Sequence, residues 1–298
     1  MRPLAMADAV VIDHLSKSYG RVEAVKDISF SVAKGEIFGF LGPNGAGKTS
    51  TINCITGLST ITSGRVSVCG KDVVEEYIFT RKKIGLSPQE FQFDVYFTVR
   101  NMLLFQGGYF GMRKRAAQRR ADELLEEFGM AGKAKDTIRA LSGGMKRRLS
   151  LAKAMMHDPE VLILDEPTAG LDVDLRVELW GYLKRLKKRR KTIILTTHYI
   201  EEAERLADKI GIMHKGNMLM VRKTADIIKE LGDSVIAVKA AKNTLPSGLE
   251  GKREKGVMLF WNTPVSDVIA AFQREKNTIL SLTQENENLE KIFVRLTQ

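Results

Sequence analysis

The chain of 298 residues is long enough for one large domain, or for one such domain with a small second one, and its 44% hydrophobic and 28% charged content excludes a disordered or fibrous protein. No apolar run approaches the roughly 20 residues that a membrane-spanning helix needs, and the N-terminus lacks the apolar segment of a secretory signal. We therefore expect a protein that is soluble or held at a membrane only through another protein. Cys54 and Cys69 follow no metal-ligand or redox spacing, which favours reduced thiols.

The formal net charge is +11, and most of it lies in the first 220 residues. The main basic run is at 184–191. It can be interpreted as a nucleic-acid-binding patch or as the solvated C-terminal end of a helix, where the helix dipole favours cations. No aromatic residue lies within the run to stack on bases, so we favour the helix end; a nearby anionic membrane surface is a further possible cause.

Short β-rich runs alternate with helical stretches over the first 220 residues, which predicts an α/β core around a largely parallel sheet. An N-terminal β-rich portion precedes this core. Between about 96 and 140 the pattern turns helical, and at 117–128 apolar residues recur at i, i+3, i+4 and i+7. The predicted strands are 9–15, 28–32 and 64–68 in the N-terminal portion, and 37–41, 84–86, 161–164, 193–196 and 210–213 in the parallel sheet.

Beyond about residue 222 the composition changes, and the pattern predicts a small α+β appendix. The segment Asn262-Thr263-Pro264 is interpreted as an N-cap followed by Pro in the first turn of a helix. The other predicted elements are a strand at 235–238, a turn or hairpin at 242–255, strands at 257–261 and 279–283, and a last amphipathic helix carrying Leu289, Ile292, Phe293 and Leu296.

The segment from Gly42 to Thr49 fits the pattern G-x-x-x-x-G-K-[ST] between an apolar strand and a predicted helix at 49–58, which favours a phosphate-binding loop over a chance glycine-rich turn. Glycines let backbone N–H groups converge on an anion, and the helix N-terminus adds favourable partial charge. Lys48 can reach the β- and γ-phosphates, and the Thr49 hydroxyl can ligate Mg²⁺. The residues predicted to bind nucleotide here are Gly42, Pro43, Asn44, Gly45, Ala46, Gly47, Lys48, Thr49 and Ser50.

An apolar run at 161–164 ends in two carboxylates, Asp165 and Glu166. Surface acids that merely follow a strand are common. With a phosphate-binding loop upstream, however, Asp165 is predicted to hold Mg²⁺ and Glu166 to orient water for in-line attack on the γ-phosphate.

The segment Leu-Ser-Gly-Gly-Met-Lys-Arg-Arg at 141–148 opens a predicted helix at 145–156. Ser142, Gly143 and Gly144 can be a simple helix N-cap, or they can form a second phosphate site with free N–H groups. Their position about twenty residues before the acidic strand closely resembles the signature sequence of ABC ATPases. With the phosphate loop and the acidic strand, it identifies residues 8–221 as similar to the ABC transporter nucleotide-binding domain.

The resemblance assigns roles to further residues. Tyr19 matches the aromatic residue that stacks on adenine, and Gln89 matches the glutamine that contacts Mg²⁺ and water while sensing the permease. Asp172 matches the D-loop, and His198 matches the switch histidine, although a histidine after a strand would by default be buried and structural. Glu166 matches the catalytic base.

Met145 departs from the family, which usually has glutamine at this signature position, so the side-chain amide is lost while the serine and glycines remain. The signature, the Thr-Thr-His-Tyr-Ile-Glu-Glu-Ala-Glu run and the ending at 288–293 are similar to a subgroup of exporter ATPases, closest to YadG-like and daunorubicin-resistance-type proteins. Members of this subgroup work with a separately encoded six-helix permease.

The resemblance implies a P-loop ABC-type α/β core at 8–221, with a helical subdomain at about 96–158 and an accessory domain at 222–298. Two chains, expected to be identical, would bind two Mg-ATP head to tail, and Ser142, Gly143 and Gly144 would cap the γ-phosphate held by the opposite chain. The implied location is the cytoplasmic face of the membrane. The apolar stretch of Phe91, Phe93, Val95, Tyr96 and Phe97 has two interpretations, the lining of a docking groove for the permease or, for most of it, ordinary core.

The rival hypothesis is a soluble ABC ATPase that acts on nucleic acid or the ribosome. Such proteins usually carry two ABC domains or a long coiled-coil insertion, and neither is found in this sequence. The basic run at 184–191 is the one feature that favours this rival. We therefore expect no nucleic-acid partner.

Overall fold

The computed structural model describes residues 8–91, 93–231, 234–286 and 289–297. The chain divides into two compact units, with the boundary between Arg222 and Lys223. Among the described residues, no helix combines the length and the apolar character needed to cross a bilayer. Cys54 and Cys69 are free thiols.

Two sheets form the first unit. A four-stranded sheet has the order β2-β1-β4-β5, and a six-stranded sheet has the order β10-β9-β3-β8-β7-β6. Pairing is antiparallel in the first sheet and parallel among β6, β7, β8, β3 and β9 in the second, which confirms the predicted α/β core with an antiparallel portion. The strands are β1 (Asp8–Tyr19), β2 (Val22–Ala33), β3 (Ile37–Leu41), β4 (Ser63–Val68), β5 (Lys71–Asp72), β6 (Ile84–Ser87), β7 (Val161–Asp165), β8 (Thr192–Thr197), β9 (Lys209–His214) and β10 (Asn217–Lys223).

Along the chain, the helices of this unit alternate with those strands, singly or in groups. The basic run begins in the last two turns of α6, as predicted for a helix C-terminus, with Arg185, Lys187 and Lys188 in the last turn. The helices are α1 (Lys48–Thr56), α2 (Tyr77–Lys83), α3 (Val99–Tyr109), α4 (Lys114–Glu127), α5 (Gly143–Ala154), α6 (Val173–Lys188) and α7 (Ile200–Leu206), with short 3₁₀ turns at Ala131–Lys133 and Ile138–Ala140.

The central strands β3, β7 and β8 are buried along their whole length, as expected for parallel strands covered on both faces. Because they run in the same direction, their carboxyl ends meet at one edge of the sheet. The register places Asp165 opposite Thr196, and Leu41 opposite Thr197. The loops that follow these strands therefore share one edge, where ligands of open α/β sheets bind.

The second unit is a small α+β fold with an antiparallel sheet of order β12-β13-β11-β14. Its buried core comprises Ile236, Val238, Met258, Phe260, Val268 and Phe272. Of the predicted apolar face of the last helix, Leu289 and Ile292 are buried, and the side chain of Leu296 lies outside the described part of the chain. The elements are α8 (Thr224–Leu231), β11 (Ser234–Ala240), β12 (Lys252–Glu254), β13 (Val257–Trp261), α9 (Val265–Arg274), β14 (Ile279–Asn286) and α10 (Leu289–Thr297).

The predicted N-cap and first turn at Asn262-Thr263-Pro264 are wrong. Asn262 adopts a left-handed conformation with φ of 50°, and Pro264 is itself the residue before the first turn of α9. The Thr263 hydroxyl donates to the Trp261 carbonyl oxygen, which belongs to the preceding strand and not to the helix. The elements that the sequence did not predict are mostly short ones: β5, β10 and β12, and the helices α2, α7 and α8.

Candidate active site

The loop between β3 and α1 requires glycine where the backbone packs closely. Gly47 has φ of 107°, and a Cβ there would lie 2.4 Å from the Ala24 carbonyl oxygen. A Cβ on Gly42 would lie 2.5 Å from the Met213 carbonyl oxygen. In the described part of the chain no side chain caps α1 at Gly47, which leaves the first N–H groups of the helix facing the loop, where an anion can bind.

Lys48 is buried within this loop. Its ammonium group donates to the carbonyl oxygens of Gly42 at 2.7 Å and Pro43 at 3.1 Å. Burial lowers the pKa of Lys48, and the carboxylates of Glu166 and Asp165 act in the opposite direction. The loop thus holds a cation at its centre beside two acids.

The remaining loop residues differ in exposure. Asn44 and Gly45 are exposed at the tip, Pro43 and Ser50 are half-buried, and Ala46 is buried. The Ala46 carbonyl accepts a hydrogen bond from the Gly216 N–H at 3.0 Å. The loop is therefore anchored at its base while its tip faces solvent.

Asp165 joins the loop to the neighbouring strand. The Thr49 hydroxyl donates to Asp165 Oδ2 at 3.0 Å, and the Thr196 hydroxyl donates to Asp165 Oδ1 at 2.5 Å. The Thr196 hydroxyl also accepts from the Glu166 N–H at 2.9 Å. Thr196, which the sequence interpretation missed, therefore fixes both acids. In the sequence, its only indication was its place in the Thr-Thr pair that precedes His198.

Glu166 lies at the centre of a hydrogen-bonded cluster. Gln89 Nε2 donates to Glu166 Oε2 at 3.1 Å, and His198 Nδ1 lies 3.2 Å from Glu166 Oε1. Glu166 has φ of 48°, a strained conformation of the kind often found at functional sites. His198 is exposed, unlike a buried structural histidine. The three residues predicted to be catalytic therefore meet at one carboxylate.

The other predicted residues have local partners. Ser142 caps α5 by accepting from the Met145 N–H at 3.3 Å, and Asp172 caps α6 by accepting from the Leu175 N–H at 2.9 Å. The ring of Tyr19 is half exposed, and its hydroxyl lies 3.2 Å from Ser59 Oγ. None of these hydrogen bonds reaches the Glu166 cluster.

Arg147 of α5 is a second residue that the sequence interpretation missed. It is only 4% exposed, and it donates to the carbonyl oxygens of Pro88 at 3.0 Å and Gln89 at 3.2 Å. A basic residue in Met-Lys-Arg-Arg gives no signal in sequence, because it would ordinarily lie on a solvated helix face.

The apolar stretch after Gln89 is partly exposed. Tyr96 is 87% exposed, Phe91 and Val95 are exposed to a lesser degree, and Phe93 and Phe97 are half-buried. Phe91 and Phe93 stack with their centroids 5.8 Å apart. The stretch is therefore a surface feature rather than ordinary core.

Known proteins share this sequence and fold. The family model described as ABC transporter matches residues 25–169. The chain is 37% identical to the linearmycin resistance ATP-binding protein LnrL of Bacillus subtilis, over 96% of this chain and 97% of that protein. It is 39% identical to the Nod factor export ATP-binding protein I of Paraburkholderia xenovorans, over 97% of each chain.

Solved structures agree. The ATP-binding subunit of an ABC transporter superposes with a TM-score of 0.69 at 27% identity, over 75% of this chain and 93% of that one. A dimeric ATP-binding cassette bound to ADP and phosphate superposes with a TM-score of 0.67 at 25% identity, over 72% of this chain and 98% of that one. The chain belongs to the ATP-binding proteins of ABC transporters, the ATPases that couple ATP hydrolysis to transport.

Proposed function

We propose that this chain binds and hydrolyses Mg-ATP to drive an exporter whose membrane permease is a separate protein. The observation that carries the proposal is the Glu166 carboxylate, held between Gln89 and His198 beside the phosphate-binding loop. Relatives of nearly the same length are named for resistance and export, which supports an export role. These names do not favour a nucleic-acid-binding ATPase.

In the proposed site, the N–H groups of the loop and of the start of α1 bind the phosphates. Lys48 neutralises the β- and γ-phosphates, because it is the buried cation of the loop. The exposed face of the Tyr19 ring stacks on adenine. The binding residues are Gly42, Pro43, Asn44, Gly45, Ala46, Gly47, Lys48, Thr49 and Ser50.

The oxygen atoms beside the loop fit Mg²⁺. Thr49 Oγ1 and Asp165 Oδ2 lie 3.0 Å apart, and Gln89, whose amide also carries an oxygen, lines the same cleft as these two residues. Among the described residues, no cluster of three or more His, Cys, Asp or Glu forms a metal cage. Mg²⁺ is usually bound by one or two carboxylates together with water and phosphate oxygens, and Asp165 supplies such a carboxylate. When bound, the ion supplies charge neutralisation at the phosphates.

We assign the proton transfer to Glu166. Its carboxylate orients the attacking water and accepts a proton as the water oxygen bonds to the γ-phosphorus and the bond to the bridging oxygen breaks. Gln89 contacts one oxygen of the Glu166 carboxylate and His198 contacts the other, which holds the base in place. His198 is exposed and can also contact the phosphate directly.

We infer that the working form is a dimer with two composite sites. Ser142, Gly143 and Gly144 begin α5, and Asp172 begins α6, so both helices present N-termini that the Glu166 cluster does not use. The dimeric relative bound to ADP and phosphate supports this arrangement. Ser142–Gly144 of one chain would then cap the γ-phosphate held by the other chain.

Met145 is compatible with this role. Its backbone N–H donates to the Ser142 hydroxyl, a contact that any residue other than proline can make. We propose that residues 8–221 form the ATP-binding domain, with a helical subdomain at about 96–158, and that 222–298 form an accessory domain. The exposed stretch around Tyr96 is where we place the permease.

Purification of the tagged chain from native membranes tests the proposal. We expect an integral membrane protein with six helices, as in the exporter subgroup, to co-purify with the chain and to stimulate its ATP hydrolysis. The chain itself is expected at the cytoplasmic face of the membrane. Co-purification with ribosomes or RNA, with stimulation by nucleic acid instead, would favour the rival class and contradict the transport role.

A further inference from the structure

One face of helix α5 contacts the segment that carries Gln89. Arg147 donates to the Pro88 and Gln89 carbonyl oxygens, and the hydroxyls of Ser150 and Ser87 lie 2.8 Å apart, both buried. Arg147 and Ser150 are three residues apart and therefore lie on the same side of the helix. α5 thus holds the backbone on both sides of residue 88.

The environment of Arg147 is unusual for a charged side chain. It is 4% exposed, its guanidinium lies 4.8 Å from the Phe91 ring centroid, and its Nε has no hydrogen-bond partner in the described part of the chain. Burial lowers the pKa of Arg147, and the charges of Asp165 and Glu166 counter it. A buried cation is costly unless it is well bonded, so a solvated helix face does not account for it.

The two Arg147 donors bind the consecutive carbonyls of Pro88 and Gln89, which restricts the two peptide planes that meet at the Gln89 Cα. The Gln89 side chain leaves from this Cα and donates to Glu166 at 3.1 Å. A planar guanidinium with forked donors suits this two-point contact, whereas lysine offers a single point charge.

We propose that Arg147 is a positioning residue, which ties Gln89, and through it the Glu166 carboxylate, to the helix that begins at Ser142. The inference rests on the proposed function for the roles of Glu166 and Ser142. Since Ser142 is there assigned to the γ-phosphate of the partner's site, α5 connects contact with that phosphate to the placement of the chain's own base.

A double-mutant cycle on the full-length chain tests this role. The variants are Arg147→Met, which keeps the length but removes the donors, Gln89→Ala, which keeps the backbone carbonyl, and the pair. Arg148→Met is the matched control, because its neighbouring guanidinium pairs with Glu178 at 2.6 Å instead. ATP affinity, kcat and KM are measured for each, and the cycle reports coupling between contacting residues.

We expect Arg147→Met to lower kcat about 10- to 100-fold, because small misplacements of catalytic groups have effects of that size. ATP affinity and KM should stay within twofold, Arg147→Lys should recover part of kcat, and Arg148→Met should leave kcat unchanged. In the Gln89→Ala background, Arg147→Met should have little further effect. Should Arg147→Met fail to fold, the cycle is run with Arg147→Lys, for which we expect a smaller coupling of the same sign.

Additive effects, a loss confined to ATP affinity, or an unchanged kcat in Arg147→Met would overturn the inference. These results are separable from failure of the proposed function. If Gln89→Ala has wild-type kcat, the assigned role of Gln89 is wrong. If Gln89→Ala lowers kcat and Arg147→Met does not, only the role of Arg147 is wrong.

Discussion

The Thr49 hydroxyl donates a hydrogen bond to Asp165 Oδ2 at 3.0 Å, joining the end of the phosphate-binding loop to the end of β7. The two residues are separated by 116 positions in sequence. They meet because β3 and β7 both pair in parallel with β8, so their carboxyl ends reach the same edge of the sheet. The contact brings together two hard oxygen atoms, and this pair is where we propose that Mg²⁺ binds.

Thr49→Val should weaken ATP binding in the presence of Mg²⁺ and make the affinity nearly independent of the ion. Valine has the same shape but no oxygen, whereas Thr49→Ser should keep the Mg²⁺ dependence. The measurement is ATP affinity by calorimetry with Mg²⁺ and with EDTA. Equal Mg²⁺ dependence in Thr49→Val and wild type would contradict the metal assignment.

Lys48→Ala should abolish tight ATP binding, because the buried cation of the loop disappears. Lys71→Ala is the control, since Lys71 forms a surface ion pair with Glu76 at 2.7 Å away from the loop. Nucleotide fluorescence or calorimetry measures the affinity. An unchanged ATP affinity in Lys48→Ala would contradict the assignment of the loop to the binding site.

Thr196→Val should lower kcat by about tenfold or more, since the hydroxyl that holds Asp165 and the Glu166 N–H is lost. Thr192→Val removes a hydroxyl at the other end of β8, where it accepts from the Gly35 N–H. That control should change thermal stability but not kcat. If both variants retain wild-type kcat, Thr196 does not position the acids.

Protonation of His157 should lower the free energy of unfolding in mild acid. Its Nε2 lies 2.9 Å from the Ile84 carbonyl oxygen, its ring stacks on Phe110, and burial lowers its pKa from the ordinary value of 6.5. The unfolded chain therefore binds a proton at His157 at a higher pH than the folded chain does. The resulting stability is present above pH 6.5 and falls as the pH drops below that value.

The His157→Gln variant provides the comparison, because its amide can still donate to the Ile84 carbonyl. Denaturant unfolding between pH 7.5 and about 5 should show a smaller loss of stability in the variant than in wild type, by at most about 1.4 kcal/mol per pH unit for one proton. Identical pH slopes for the two proteins would contradict this role.

Much of the candidate site could be predicted because it lies in contiguous motifs. The loop at Gly42–Thr49 and the pair Asp165–Glu166 follow buried strands, and a parallel sheet brings such strand ends together. The family resemblance, rather than periodicity, indicated Gln89 and His198. The structure places both against the Glu166 carboxylate.

Other contacts were not predictable because they depend on register between distant segments. Thr196 contacts Asp165 across 31 positions, and Arg147 contacts Pro88 across 59. Neither residue type is diagnostic on its own. Short elements were missed for a related reason: the seven-residue helices α2 and α7 offer too few turns for a periodic pattern.

The Glu166→Gln variant in Mg-ATP tests the account most directly. Glutamine keeps the size of the side chain but cannot accept the proton, so hydrolysis should fall by about 10²–10⁴-fold while ATP affinity stays near wild type. Glu201→Gln, which alters an exposed partner of Arg205, should be unaffected. Because ATP is then bound but not hydrolysed, the Glu166→Gln variant should elute as a dimer in size-exclusion chromatography.

Adding Ser142→Arg should dissolve that dimer, since a bulky side chain blocks the partner's γ-phosphate. The composite site would be contradicted if the Glu166→Gln variant bound ATP, did not hydrolyse it and stayed monomeric even with its permease. The decisive measurement is the hydrolysis rate of Glu166→Gln. A loss of orders of magnitude at unchanged ATP affinity is the predicted result, and a rate near wild type would show that the base lies elsewhere.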